Sequence, residues 1–197
     1  RLVDDLLDVS RITRGKLELR RRRVELKEVL DQAVEMTAPL FEEKRHRLQL
    51  DVPMGLTVKG DPTRLAQIFS NLLSNAAKYT EPDGHIAVSA RAESGSVRVS
   101  VTDDGIGMSP DLSASVFDLF VQAEQAIDRA SGGLGLGLTL VRSLARLHDG
   151  TVSARSDGPG RGSTFEVTLP LAIGVLDSAE SLPPKLVDLP SVRRVLV

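Results

Sequence analysis

The chain has 197 residues, 25 Lys and Arg against 27 Asp and Glu, and a formal charge of −2, a balance that gives nucleic acid or an anionic membrane no electrostatic hold. With 41% hydrophobic and 26% charged residues, it has the composition of a folded globular protein rather than a disordered one. It has no cysteine, which excludes disulfides, thiolate nucleophiles and cysteine-bound metal centres, and no apolar run reaches the ~18–20 residues of a membrane span.

Leu2, Val3, Leu6, Leu7 and Val9 recur at helical spacing over 1–14, and Gly15 stops them. An apolar stripe on so short a piece cannot make a core of its own, so it reads as the end of a longer helix. The run Arg20–Arg23, flanked by Leu19 and Val24, reads as a solvated strand rather than an anion patch. A helix is expected over 27–44, carrying Val29, Leu30, Ala33, Val34 and Leu40. Leu48, Leu50 and Val52 then alternate as a short strand ended by Pro53 and Gly55.

Asp61-Pro62 is a helix start, a side-chain acceptor followed by proline at the first helical position. Behind it Leu65, Ile68, Phe69, Leu72, Leu73 and Ala76 form the apolar stripe of a helix reaching Thr80. Ile86/Val88/Ala90 and Val97/Val99/Val101 make a hairpin through 93–96. Ser109-Pro110 opens a short helix, 121–133 reads as a mobile loop, and 134–148 reads as a helix. Two more strands, 151–156 and 163–169, form a second hairpin. The proline-rich stretch 174–191 reads as a linker, and 193–197 as the start of another strand. Intermixed strands and helices predict an α+β fold: a two-layer sandwich, its mixed sheet covered by helices on one face.

Three clusters carry polar chemistry. Parity along Val97, Val99 and Val101 turns Asp103 toward the apolar face, where an unpaired carboxylate is costly. Either the N–H groups of its own turn satisfy it, or a ligand amine does; Gly105 and Gly107 beside it favour close approach of a planar ligand. Asn71 and Asn75 lie four apart on one flank of the 61–80 helix, with Lys78 and Tyr79 one turn on. An amide oxygen there suits Mg²⁺, and Lys78 suits a phosphate; a pair of solvated amides is the plainer alternative. Finally, Gly132, Gly133, Gly135 and Gly137 alternate with leucines at a helix start, where backbone N–H groups favour phosphate. This is neither a Walker A loop nor G-x-G-x-x-G.

In this order the motifs closely resemble the catalytic ATP-binding domain of bacterial sensor histidine kinases, in the gyrase, chaperone, histidine kinase and mismatch-repair ATPase superfamily, with its Bergerat-type fold. Asn71–Thr80 resembles the family's N box, Asp103–Met108 its G1 box, 116–120 its F box, and 133–138 its G2 box, while 160–165 resembles its last glycine motif. The resemblance covers roughly 15–170. It implies that Asp103 accepts from the adenine amine of ATP, that Asn75 ligates Mg²⁺, and that Asn71, Lys78, Tyr79, Gly105 and Gly107 line the nucleotide site. Gly133, Gly135 and Gly137 would contact phosphates, with 121–133 as a lid anchored by Phe117 and Phe120, residues that periodicity alone assigns to the core.

By the same resemblance, 1–14 ends a dimerisation and phosphoacceptor hairpin, 15–170 is the catalytic domain, 171–191 a linker, and 192–197 the start of a receiver domain. The implied partners are that hairpin and a receiver domain or response regulator, in the cytoplasm, with no nucleic acid and no direct membrane contact. None of His46, His85 and His148 has the helical context of the family's phosphoacceptor, so the acceptor is expected outside this chain and no catalytic residue is assigned within it. Gyrase-like relatives carry Glu where Asn71 stands, and Asn cannot activate water. A docking module without kinase activity is the alternative reading.

Overall fold

The computed structural model describes residues 2–119, 121 and 135–172. The expectations for 122–134, for Phe120 and for the linker and tail beyond 172 lie outside the described residues. In chain order the elements are α1 (Leu2–Thr13), β1 (Arg22–Glu25), α2 (Leu26–Glu43), β2 (Arg47–Asp51), β3 (Thr57–Gly60) and α3 (Pro62–Tyr79). They continue with β4 (His85–Glu93), β5 (Ser96–Asp103), α4 (Pro110–Ser115), α5 (Gly137–Leu147), β6 (Thr151–Arg155) and β7 (Ser163–Pro170).

The main sheet runs β2-β4-β5-β7-β6, with β2 parallel to β4 and the other pairs antiparallel, so the predicted mixed sheet is present. Register stacks one apolar row across it: Val88 faces Val101, Ala90 faces Val99, and Val99 faces Val167. These side chains are fully buried. The opposite face is polar, where Arg98 pairs with Glu93 at 2.7 Å and Arg155 with Glu166 at 3.2 Å. Among the described residues, helices therefore cover one face only.

α3 is the central rod of that layer. Asp61 caps it, its Oδ1 accepting from the N–H groups of Thr63 at 3.1 Å and Arg64 at 3.2 Å, a contribution of about 1 kcal/mol. The predicted stripe is the buried one, with Leu65, Ile68, Phe69, Leu72 and Leu73 fully inaccessible. Each stabilises the core by roughly 1.5–3 kcal/mol relative to exposure. α2 and α5 pack on α3. α1 docks on α3 through Asp8, which accepts from Arg64 at 2.5 Å and from Gln67 at 3.1 Å.

Several details depart from the sequence expectation. Leu40 is 37% exposed and lies with Met36 on the outer side of α2. Pro39 sits inside this helix on the same exposed side, although proline removes one helical N–H donor. Leu50 is exposed, because β2 is an edge strand. α5 starts at Gly137, not at 134. β3 was not foreseen; it pairs antiparallel with β1 as a separate two-stranded sheet, and Val58 of β3 also bridges Leu171.

Candidate functional site

Parity is right about Asp103. It ends β5 on the inward face, paired across the sheet with Ile86 and Ser163, and is 6% exposed. Its Oδ1 accepts from the Gly105 N–H at 3.0 Å, and the Ser163 N–H also bonds it. Burial nevertheless pushes its pKa from 3.8 up to about 6, with the neighbouring Asp104 charge adding a little and the two N–H groups opposing. The turn thus supplies some donors, but too few to make ionisation comfortable. A further donor arriving in a ligand would favour the carboxylate.

Asp104 faces outward and clamps the strand ends, accepting from the His85 N–H at 2.8 Å and lying 3.1 Å from His85 Nδ1. Past it the chain is stitched on two sides. Ile106 N–H donates to the Tyr79 carbonyl at the end of α3. On the other side Gly162 N–H donates to the Gly105 carbonyl, and Gly160 N–H to the Ile106 carbonyl. Ser156 completes the clasp: its Oγ accepts from Met108 N–H at 3.0 Å and donates to the Gly162 carbonyl at 2.6 Å.

This packing gives the glycines a different first reason than the sequence suggested. A Cβ on Gly105 would overlap the Tyr79 carbonyl, and one on Gly107, at φ +68°, would overlap the Gly158 carbonyl. Gly162, at φ +67°, has no room for one against the Asp103 carbonyl. The loop needs glycine to close on its own backbone.

Asn71, Asn75, Lys78 and Tyr79 are all half-buried on α3, as their spacing predicted. Asn71 Nδ2 is buried without a hydrogen-bond partner, and so are the hydroxyls of Ser74 and Thr80. Native interiors rarely tolerate such orphans, so the amide points to a missing acceptor. Lys78 Nζ stands 5.0 Å from the centre of the Tyr79 ring.

Gly135, at φ +70°, leads into α5, which begins at Gly137 without a side-chain cap. Among the described residues, a Cβ on Gly137 would meet nothing within 4 Å, so they leave the first turn of α5 open to an approaching group. Gly133 lies outside the described residues. Phe117 is core, as its periodicity said, with its ring edge-on to Phe165 at 6.2 Å. Its carbonyl accepts from buried Thr139 Oγ1 at 3.0 Å, which ties it to α5. Ser156 and Thr139 were missed because a lone hydroxyl carries no periodic signal.

Among the described residues, no group of three or more His, Cys, Asp and Glu could hold a metal by itself. An Mg²⁺ here would need one amide oxygen plus phosphate and water oxygens, a donor set that suits this ion. Asn75, one turn from the unpaired Asn71 amide, fits that requirement.

Comparison with known proteins gives the site its family. Residues 60–173 match the profile of the histidine kinase-, DNA gyrase B- and HSP90-like ATPases. The sensor-like histidine kinase SenX3 of Mycobacterium bovis is 33% identical over 172 residues, 87% of this chain and 42% of SenX3. A full-length ShkA structure in complex with AMPPNP superposes with a TM-score of 0.75 and 34% identity, covering 86% of this chain and 35% of that one. The mycobacterial sensor histidine kinase MprB gives a TM-score of 0.68 at 26% identity, over 76% of this chain and 98% of its own. The chain spans less than half the length of SenX3. The fold, the ordered motifs and these matches agree: the chain belongs to the histidine kinase-, DNA gyrase B- and HSP90-like ATPase family, as a catalytic ATP-binding domain of the sensor histidine kinase type.

Proposed function

We propose that this domain holds Mg-ATP with its adenine on Asp103 and presents the γ-phosphate to a histidine supplied from outside the chain. The observation that carries the reading is the inward Asp103 carboxylate, short of donors and raised to about 6. The exocyclic amine of adenine supplies the missing donor. At the other end of the site, the unpaired Asn71 amide donates to a phosphate oxygen, Lys78 contributes a point charge, and the backbone at Gly135 and Gly137 faces the phosphates. Asn75 holds Mg²⁺ by its amide oxygen. The ion, when bound, offsets phosphate charge during an in-line transfer.

The outside acceptor is supported by the three histidines present. His148 is buried with both ring nitrogens engaged, by Asp61 N–H and the Leu144 carbonyl. His46 is half-buried with Nε2 on the Thr80 and Glu81 carbonyls, and its Nδ1 is sealed from solvent. His85 is held by Asp104. With Asn71 where a water-activating base would stand, hydrolysis is slow and the γ-phosphate is kept for transfer. In the whole protein, the phosphoacceptor hairpin ending in 1–14 receives it, and a receiver domain or response regulator takes it onward, in the cytoplasm.

The test is calorimetry with adenosine and ADP. Asp103→Asn keeps the shape but turns an amide donor toward the adenine amine, so both ligands should bind weaker by about 1–3 kcal/mol. Unchanged affinity in a folded variant removes the adenine assignment. Absence of nucleotide binding in the wild-type chain favours the docking module instead.

A further inference from the structure

A helix ends with carbonyls that have no intrahelical partner, and their fate fixes where the last turn sits. At the end of α3 the carbonyls of Ala77, Lys78 and Thr80 all accept from one ammonium, Lys44 Nζ, at 2.8, 2.8 and 2.9 Å. The carbonyl between them, Tyr79, accepts from Ile106 N–H at 3.1 Å. Lys44 is the residue that closes α2, and its side chain is half-buried. All three N–H bonds of the ammonium are used, on the negative end of the helix dipole.

The Tyr79 carbonyl is also the surface against which Gly105 closes, and the Gly105 N–H is the one bonded to Asp103 Oδ1. Lys44 thus reaches the carboxylate through a short chain: the last turn of α3, the Tyr79 carbonyl, the Gly105-Ile106 backbone and Asp103. We propose that Lys44 is a positioning residue for the adenine end of the site, holding the last turn of α3 at the height that the Asp103 loop requires. This rests on the reading of Asp103 as the adenine acceptor. His46 Nε2, 3.3 Å from the Thr80 carbonyl, backs up one of the three bonds.

The experiment compares adenosine with ADP, with and without Mg²⁺, on Lys44→Met, which keeps the stem and removes the donors. Adenosine and ADP affinities should both fall by the same factor, about tenfold, since hydrogen bonds to a charged group are the stronger kind. The gain from Mg²⁺ should be unchanged, because Asn75 lies earlier on α3. Rescue separates positioning from general stability. The chain has no cysteine, so Lys44→Cys offers a single thiol. Alkylation with 2-bromoethylamine in denaturant, then refolding beside a wild-type control, rebuilds a lysine-length ammonium and should restore adenosine affinity.

Wild-type adenosine affinity in folded Lys44→Met overturns the proposal. So does recovery of the thermal midpoint after alkylation without recovery of affinity. If Lys44→Met does not fold, Lys44→Arg decides: its planar fork cannot converge on three carbonyls, so weaker adenosine binding supports the proposal and unchanged binding overturns it. Adenosine binding indifferent to Asp103→Asn is a separate result, and it overturns the adenine reading itself.

Discussion

The backbone N–H of Asp61 donates to Nε2 of His148 at 3.1 Å, joining the start of α3 to the end of α5. Nδ1 lies 2.8 Å from the Leu144 carbonyl, so the ring is neutral with its proton on Nδ1. Asp61 Oδ2 in turn accepts from Arg20 N–H at 3.0 Å, so one knot ties the chain before β1 to both helices.

That knot is acid-sensitive. Burial lowers the His148 pKa below the ordinary 6.5, and the Arg21 charge lowers it further, against the Leu144 carbonyl. The unfolded chain therefore binds the proton first, and the contribution of His148 is fully present above pH 6.5 and lost as pH falls below it. Urea unfolding from pH 7.5 down to 5 should show this loss. It should be absent in His148→Gln, which accepts but does not take up a proton; an identical slope in the variant assigns the loss to another group.

Asp103 works in the opposite direction. Its folded value of about 6 lies above 3.8, so the ligand-free fold is best served below pH 3.8 and loses stability as pH rises toward about 6. A donor from adenine favours the ionised form, so adenosine affinity should rise as pH increases through about 6 and level off above 7. Binding near pH 6 should release a proton, visible as a buffer-dependent calorimetric heat. Both effects should vanish in Asp103→Asn.

Asn75→Ala should remove most of the benefit that Mg²⁺ gives to ATP binding while adenosine binding stays as it was. Titrations with and without the ion measure this. Equal losses for adenosine and Mg-ATP would mean that α3 has moved rather than that a metal ligand is gone.

Two glycines should behave oppositely. Gly162→Ala puts a side chain at φ +67° against the Asp103 carbonyl and should cost more than about 2 kcal/mol of folding stability. Gly137→Ala meets open space at the start of α5 and should leave stability unchanged or slightly higher. It should weaken ADP and spare adenosine, because only the phosphates approach that turn. Melting curves and the two ligands together check both.

Incubation of the chain with γ-labelled ATP and Mg²⁺, followed by an alkaline quench, should leave His46, His85 and His148 unlabelled. Label should reach a separately supplied chain that presents an exposed phosphoacceptor histidine on a helix, and this should be lost with Asn75→Ala. Rapid labelling of any of the three internal histidines contradicts the outside acceptor.

The sequence by itself determined what depends on neighbours along the chain. Period 3.6 over 65–76 located the buried stripe of α3, and Asp61-Pro62 marked its cap. Period 2 through Val97, Val99 and Val101 turned Asp103 inward before any fold was known. The ordered motifs named the family. Only the tertiary structure decided what depends on residues far apart. β3 is too short for a periodic signal and exists because β1 pairs with it. Leu40 and Leu50 are apolar residues that ended up on an outer helix side and an edge strand, where pattern cannot tell which neighbour covers them. Gly105, Gly107 and Gly162 close on backbone up to 59 residues away, so their need for glycine is steric and invisible in sequence. Lys44 stood out in no pattern of the sequence, and only folding brought three carbonyls at the end of α3 to its ammonium. Local geometry is written in spacing; a hydrogen bond between distant segments is set by where the whole chain packs.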